Sequence, residues 1–82
     1  REEVKVENQD LLQILKNLRL DIATEKNVPA YVIFPDKTLH QMANTKPTTK
    51  EEFLNISGVG EKKLEEYFKP FSETVVDFLA TE

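Results

Sequence analysis

Val28-Pro29-Ala30-Tyr31-Val32-Ile33-Phe34-Pro35 is the stretch on which the fold turns. Its apolar run, fenced at both ends by proline, has the composition of a buried strand. No second strand-like run exists elsewhere in the chain to pair with it. A lone strand would leave its backbone N–H and C=O groups unsatisfied. The segment therefore reads as an extended or single-turn connector crossing a core that helices must build. With strands excluded, an all-α bundle is the only layered packing left.

On the N-terminal side, residues 1–8 are a polar lead-in, and residues 9–82 form the domain proper. Asn8 or Asp10 can cap a helix running to about Lys26. On a helical wheel Leu11, Leu15, Leu18 and Ile22 share a narrow arc, flanked by Ile14 on one side and by Leu12 and Ala23 on the other. Arg19 lies at the edge of that face, stem inward and head exposed. On the C-terminal side, Asp36 caps a short helix with Leu39, Met42 and Ala43 inward, and Pro47 supports a stop beyond Thr45. Thr48 with Glu51, or Thr49 with Glu52, fits a capping box opening a helix over about 49–55, with Phe53, Leu54 and Ile56 for the core. After the turn Ser57-Gly58-Val59-Gly60, the residues Leu64, Phe68, Phe71, Val75 and Phe78 keep one face apolar. Pro70 should kink that last helix or start a new one. Five helices with short connections are the resulting picture.

The 82 residues allow one domain and a modest core. No ATPase, polymerase or nuclease fold fits that length. Arg at position 1, with Met42 the single methionine, suggests a module cut from a larger protein. One His and no Cys exclude the common structural zinc sites and any disulfide framework. No apolar run approaches the ~18 residues of a membrane span, so no membrane partner is expected. The net charge of −4 argues against strong indiscriminate nucleic-acid binding. That charge is uneven: residues 1–35 balance at −1, residues 36–50 at +2 and residues 51–82 at −5. A local cationic surface is still compatible with the total.

Signatures of catalysis are absent, with no Walker, nucleophile-elbow or H-E-x-x-H pattern. His40 reads as an ordinary, partly exposed helix residue. The adjacent carboxylates Glu51-Glu52 and Glu65-Glu66 diverge around their helices and form no catalytic dyad. Three features point elsewhere. The Gly58-Val59-Gly60 turn between two helices is like the helix-hairpin-helix element of many DNA-binding proteins. Glycines admit close backbone approach, and the following helix offers unpaired N–H groups and a positive dipole end. Lys62 and Lys63 add charge there, while Glu61 suits the dipole but repels a phosphate. The turn is equally open to a purely structural reading. Lys16, Arg19 and Lys26 fall within about 80° on the first helix, as a phosphate-facing stripe or as an ordinary solvated face. Tyr31 is the large residue of its segment with a polar tip, and either stacks a nucleobase from the surface or joins the core with its hydroxyl out.

The stretches L-x-x-L-x-x-L-R-x-x-I-A (12–23), V-P-A-Y-V-I-F-P-D-K-T-L-H-Q-M-A (28–43), P-T-T-K-E-E-F-L (47–54) and G-V-G-E-K-K-L-E-E-Y (58–67) together resemble the HRDC domain, the helicase-and-RNase-D C-terminal module. The likeness covers about residues 9–80 and is nearer the RecQ helicase version than the RNase D version. It implies a five-helix bundle acting as a non-catalytic accessory to an ATP-dependent, 3′–5′ RecQ-type DNA helicase, in DNA repair, recombination or replication. ATP and magnesium would then belong to the parent, with no cofactor and no metal in this chain. The partner implied is DNA, single-stranded or branched and weakly held, with Tyr31 carried over as the stacking residue. Arg19, Lys26, Lys62 and Lys63 would neutralise phosphates, and Gly58 and Gly60 would donate N–H groups. The acidic C-terminal third keeps open a second reading, a regulatory module docking on the helicase core or another protein. A third is the same fold on an RNase D-type exoribonuclease. A monomer is expected, cytoplasmic and nucleoid-associated in a bacterium or nuclear in a eukaryote.

Overall fold

Helix α1 (Gln9–Lys26) follows from the spacing of its leucines. Leu11, Leu15 and Ala23 are fully buried, and Leu12, Leu18 and Ile22 pack at their margins. Ile14 and Leu20 instead face solvent. The helix ends where Asn27 turns left-handed at φ 60°. Val28 N–H then donates to the Ala23 carbonyl at 3.0 Å, and Asn27 N–H to that of Thr24 at 3.1 Å. This Schellman closure satisfies two terminal carbonyls and aims the chain into the 28–35 segment. The computed structural model describes residues 9–81; the lead-in at 1–8 and the Asn8 cap lie outside them.

Between its two prolines the connector makes a single turn, α2 (Ala30–Ile33), not an extended crossing. Pro29 and Pro35 each sit one residue ahead of a helix, where a fixed φ and a missing N–H cost little. Ile33 and Phe34 enter the core. Helix α3 (Asp36–Thr45) buries Thr38, Leu39, Met42 and Ala43. Asp36 does not cap it: Pro35 holds the N-cap position, and Asp36 lies in the first turn with its carboxylate drawn to Arg19.

Of the two capping-box registers, Thr49 with Glu52 is the one adopted, and it opens α4 (Lys50–Leu54). Glu52 N–H donates to Thr49 Oγ1 at 3.2 Å, while the Glu52 carboxylate accepts from Thr48 N–H at 2.8 Å and Thr49 N–H at 3.4 Å. Those backbone donors hold the Glu52 carboxyl below its ordinary pKa. Phe53 and Ile56 are buried as expected, but Leu54 is exposed, because a five-residue helix presents only one side to the core.

Helix α5 (Glu61–Ala80) runs without a break through Pro70. The missing N–H leaves one carbonyl, that of Glu66, on a residue exposed to solvent and so open to water. Leu64 and Tyr67 before the proline, and Phe71 and Val75 after it, are all buried on one face. Burying side chains of that size favours the straight path by about 1.5–3 kcal/mol each. That outweighs the roughly 3 kcal/mol typical of an interior proline. Among the described residues the architecture is thus five helices and no strand. The single turn α2 supplies the fifth helix, in place of a second segment after Pro70. Helix α1 packs against α2, α3 and α5, and α4 packs on α5. Phe34 stands at the centre, its ring edge-on to Tyr67 at 5.7 Å and to Phe71 at 5.1 Å.

Candidate nucleic-acid interface

The turn that buries Phe34 also turns Tyr31 outward. Successive residues of one helical turn diverge, so with Ile33 and Phe34 inside, Tyr31 and Val32 face solvent, at 70% and 41% exposure. A turn this short cannot satisfy its own last carbonyls. Side chains from both long helices do so instead. Lys63 of α5 places its ammonium on the carbonyls of Val32 and of Ile33, the latter at 2.9 Å. Arg19 of α1 donates from Nη1 to the Phe34 carbonyl at 2.8 Å. The same nitrogen lies 2.8 Å from Asp36 Oδ1. That hydrogen bond and the nearby positive charge hold the Asp36 carboxyl below its ordinary pKa, with Lys16 and His40 adding to it. Three consecutive carbonyls after Tyr31 are therefore held by two cations that approach from different helices.

Arg19 departs from its expected pose. Its head is not free in solvent: the side chain is only 11% exposed, and Nε is buried without a hydrogen-bond partner. Lys63 lies 5.7 Å from the centroid of the Phe34 ring. Lys26 sits 5.4 Å from that of Tyr67, and its ammonium is 3.7 Å from Glu66 Oε2, with both side chains about half exposed. Arg19 and Lys63 thus meet at the turn that carries Tyr31, while Lys26 is linked to it only through Tyr67, whose ring packs on Phe34. Lys62 is exposed, next to Lys63 on α5, with no ion pair to another described residue.

The two glycines of the hairpin-like turn have different reasons to be there. Gly58 has φ +95°, and a Cβ on it would meet Thr38 Oγ1 at 2.3 Å. Thr38 is buried, and its hydroxyl donates to the Ser57 carbonyl at 2.9 Å, tying the turn to α3. Ser57 N–H in turn donates to Gln41 Oε1 at 3.0 Å. Gly60 is the N-cap of α5 in ordinary extended backbone, with open space around it and no side chain capping the helix. The first α5 turn begins with Glu61, whose negative charge suits the helix dipole and opposes a phosphate there. Among the described residues no group of three or more His, Asp or Glu is placed to hold a metal.

Sequence reasoning picked Tyr31, Arg19, Lys26, Lys62, Lys63, Gly58 and Gly60. Arg19 and Lys63 come together at the turn of Tyr31 and Lys26 lies against Tyr67, whereas Gly58 is bound up with α3. It missed Phe34, whose carbonyl receives Arg19 and whose ring lies under Lys63. It also missed Asp36 as the partner of Arg19, and Thr38 as the reason for Gly58. No local pattern encodes these three, since each pairs residues at least 15 positions apart in the chain.

The family model of the HRDC domain matches residues 8–75. The chain is 46% identical over 68 residues to "ATP-dependent DNA helicase RecQ" of Pasteurella multocida, covering 83% of this chain and 11% of that protein. It is 47% identical over 60 residues to "ATP-dependent DNA helicase UvrD2" of Mycobacterium tuberculosis, covering 73% and 9%. The chain thus spans about a tenth of the length of the curated relatives it matches. Among solved structures it is similar to "D. radiodurans RecQ HRDC domain 3", with a TM-score of 0.84 and 32% identity, covering 89% of this chain and 96% of that one.

Proposed function

Since the chain belongs to the HRDC family, we propose that it is a non-catalytic nucleic-acid-binding module of a RecQ-like, ATP-dependent DNA helicase. The helicase names of its relatives support that parent over an RNase D-type exoribonuclease. ATP and magnesium act in the parent, outside these residues. The module holds single-stranded or branched DNA weakly and tunes which substrate the motor engages.

One observation carries this reading. An aromatic ring, Tyr31, stands 70% exposed on a turn whose backbone is tied down, with cationic side chains gathered below it. A base stacked on such a ring contributes about 1–3 kcal/mol and carries little sequence preference. The exposed cations Lys26 and Lys62 supply the salt-dependent part of the affinity. The anionic α5, with Glu61, Glu65, Glu66, Glu73 and Asp77, keeps the affinity low by repelling the backbone elsewhere.

A labelled oligothymidylate titrated with the domain at low salt tests the proposal, with Tyr31→Ala alongside. Saturable binding that the substitution weakens supports it, and no binding at millimolar domain overturns it. The acidic third of the sequence favours a second reading, docking on a basic surface of the helicase core. In that case removing the module from its parent changes the ATPase even though the isolated domain ignores DNA.

A further inference from the structure

The two cations that hold the carbonyls after Tyr31 already have donors committed within the protein. Lys63 spends its ammonium on the Val32 and Ile33 carbonyls and lies over the Phe34 ring. Arg19 spends Nη1 on the Phe34 carbonyl and Asp36, and the rest of its side chain is nearly out of solvent. A phosphate reaching either would have to strip donors from carbonyls that have no other described partner, on a turn too short to hold itself. Lys26 differs, being half exposed, with a loose ion pair to Glu66 and the Tyr67 ring beside it but no backbone carbonyl to hold. Lys62 differs too, being exposed on α5.

We infer that Arg19 and Lys63 are positioning residues that clamp the 30–34 turn from both sides so that Tyr31 is presented to a base, and that neither is a phosphate ligand. The inference rests on the single-strand reading of Tyr31. Its physical content is preorganisation: affinity falls in proportion to the fraction of molecules whose turn is in the competent pose. A clamp residue therefore cannot cost more than the contact it presents. It also releases no counterions when DNA binds.

These properties separate a clamp from a ligand. Each phosphate contact adds about 0.7 to the magnitude of the slope of log K against log salt for single strands. Oligothymidylate is titrated at several salt concentrations with the wild-type domain, Lys63→Met, Lys62→Met and Tyr31→Ala, and with Lys63→Met in the Tyr31→Ala background. Lys63→Met should weaken binding by at least about threefold, but by no more than the roughly 5- to 150-fold expected for Tyr31→Ala. Its salt slope should stay at the wild-type value, whereas Lys62→Met should flatten the slope by about 0.7. In the Tyr31→Ala background the Lys63 substitution should have no further effect. A flatter slope for Lys63→Met, or a full additional loss in the double variant, overturns the inference.

A readout without DNA keeps the test independent of the binding reading. NMR order parameters over residues 30–34 of the free domain should fall in Lys63→Met while those of α3 do not change. An unchanged 30–34 turn refutes the clamp whether or not the wild-type domain binds DNA. Absent binding with a loosened turn refutes the DNA reading and leaves the clamp standing.

Discussion

Replacing Gly58 by alanine should cost far more than a surface substitution, and the cost should depend on Thr38. Two terms add. An L-residue at φ +95° is strained by about 1–2 kcal/mol. The new Cβ would also lie 2.3 Å from Thr38 Oγ1, closer than any tolerated contact. Thr38 is 1% exposed in the α3 core, so it cannot swing away freely. Rotating its hydroxyl gives up the 2.9 Å bond to Ser57, worth about 1 kcal/mol, with some repacking besides. Against this, alanine reduces the freedom of the unfolded chain and returns about 0.4–1 kcal/mol. The net loss should be about 2–3 kcal/mol, a large share of the roughly 4–12 kcal/mol expected for a domain of this length. Thr38→Ala removes both the obstructing oxygen and the bond. In that background Gly58→Ala should cost only about 1 kcal/mol, the residual backbone strain. The cycle therefore predicts a coupling of about 1–2 kcal/mol, measured by urea unfolding followed by circular dichroism. Additivity within the usual ~0.5 kcal/mol would refute the close-approach argument for Gly58.

Gly60→Ser should act in the opposite direction, adding an N-cap to α5 in open space and stabilising the domain by about 0.5–1 kcal/mol in the same assay. Thr49→Ala should remove the α4 capping box and lower stability by about 1 kcal/mol, with Phe53 still buried. Asp36 titrates below its ordinary value of 3.8 because Arg19 favours its charged form. Its contribution is thus present above that value and lost as pH falls through the lower folded pKa. With its side chain 66% exposed, solvent limits the effect to about 0–1 kcal/mol. The stability gap between wild type and Asp36→Asn should accordingly close as pH falls below the ordinary value of 3.8, as thermal melts at successively lower pH would show.

The fold was legible wherever periodicity and local chemistry agree. The leucines of α1, the Leu39–Met42–Ala43 face of α3 and the capping box of α4 each follow from short-range rules. Pro70 misled because a propensity penalty on one residue is smaller than the packing of Leu64, Tyr67, Phe71 and Val75 on either side of it. Asp36 looked like a cap because its position suits one, but the neighbouring Pro35 occupies the cap and the carboxylate finds Arg19 from another helix. The candidate site was half legible. The residue types were visible, while their duties were not: a sequence shows that Arg19 and Lys63 are cationic, not that carbonyls of a distant turn receive them. The same holds for Gly58, whose need for a missing side chain comes from Thr38, twenty positions earlier.

The central claim is that DNA meets this domain at Tyr31, and chemical-shift mapping of the isotopically labelled domain with oligothymidylate tests it most directly. Tyr31 and Tyr67 are the two tyrosines, and only Tyr31 is exposed, so its ring signals report on stacking alone. The account predicts upfield shifts of the Tyr31 ring protons and backbone shifts over residues 30–34 and near Lys26 and Lys62, with Glu73 and Asp77 of α5 unmoved. Shifts centred on residues 58–61 with the Tyr31 ring unchanged would contradict it and return the interface to the glycine turn.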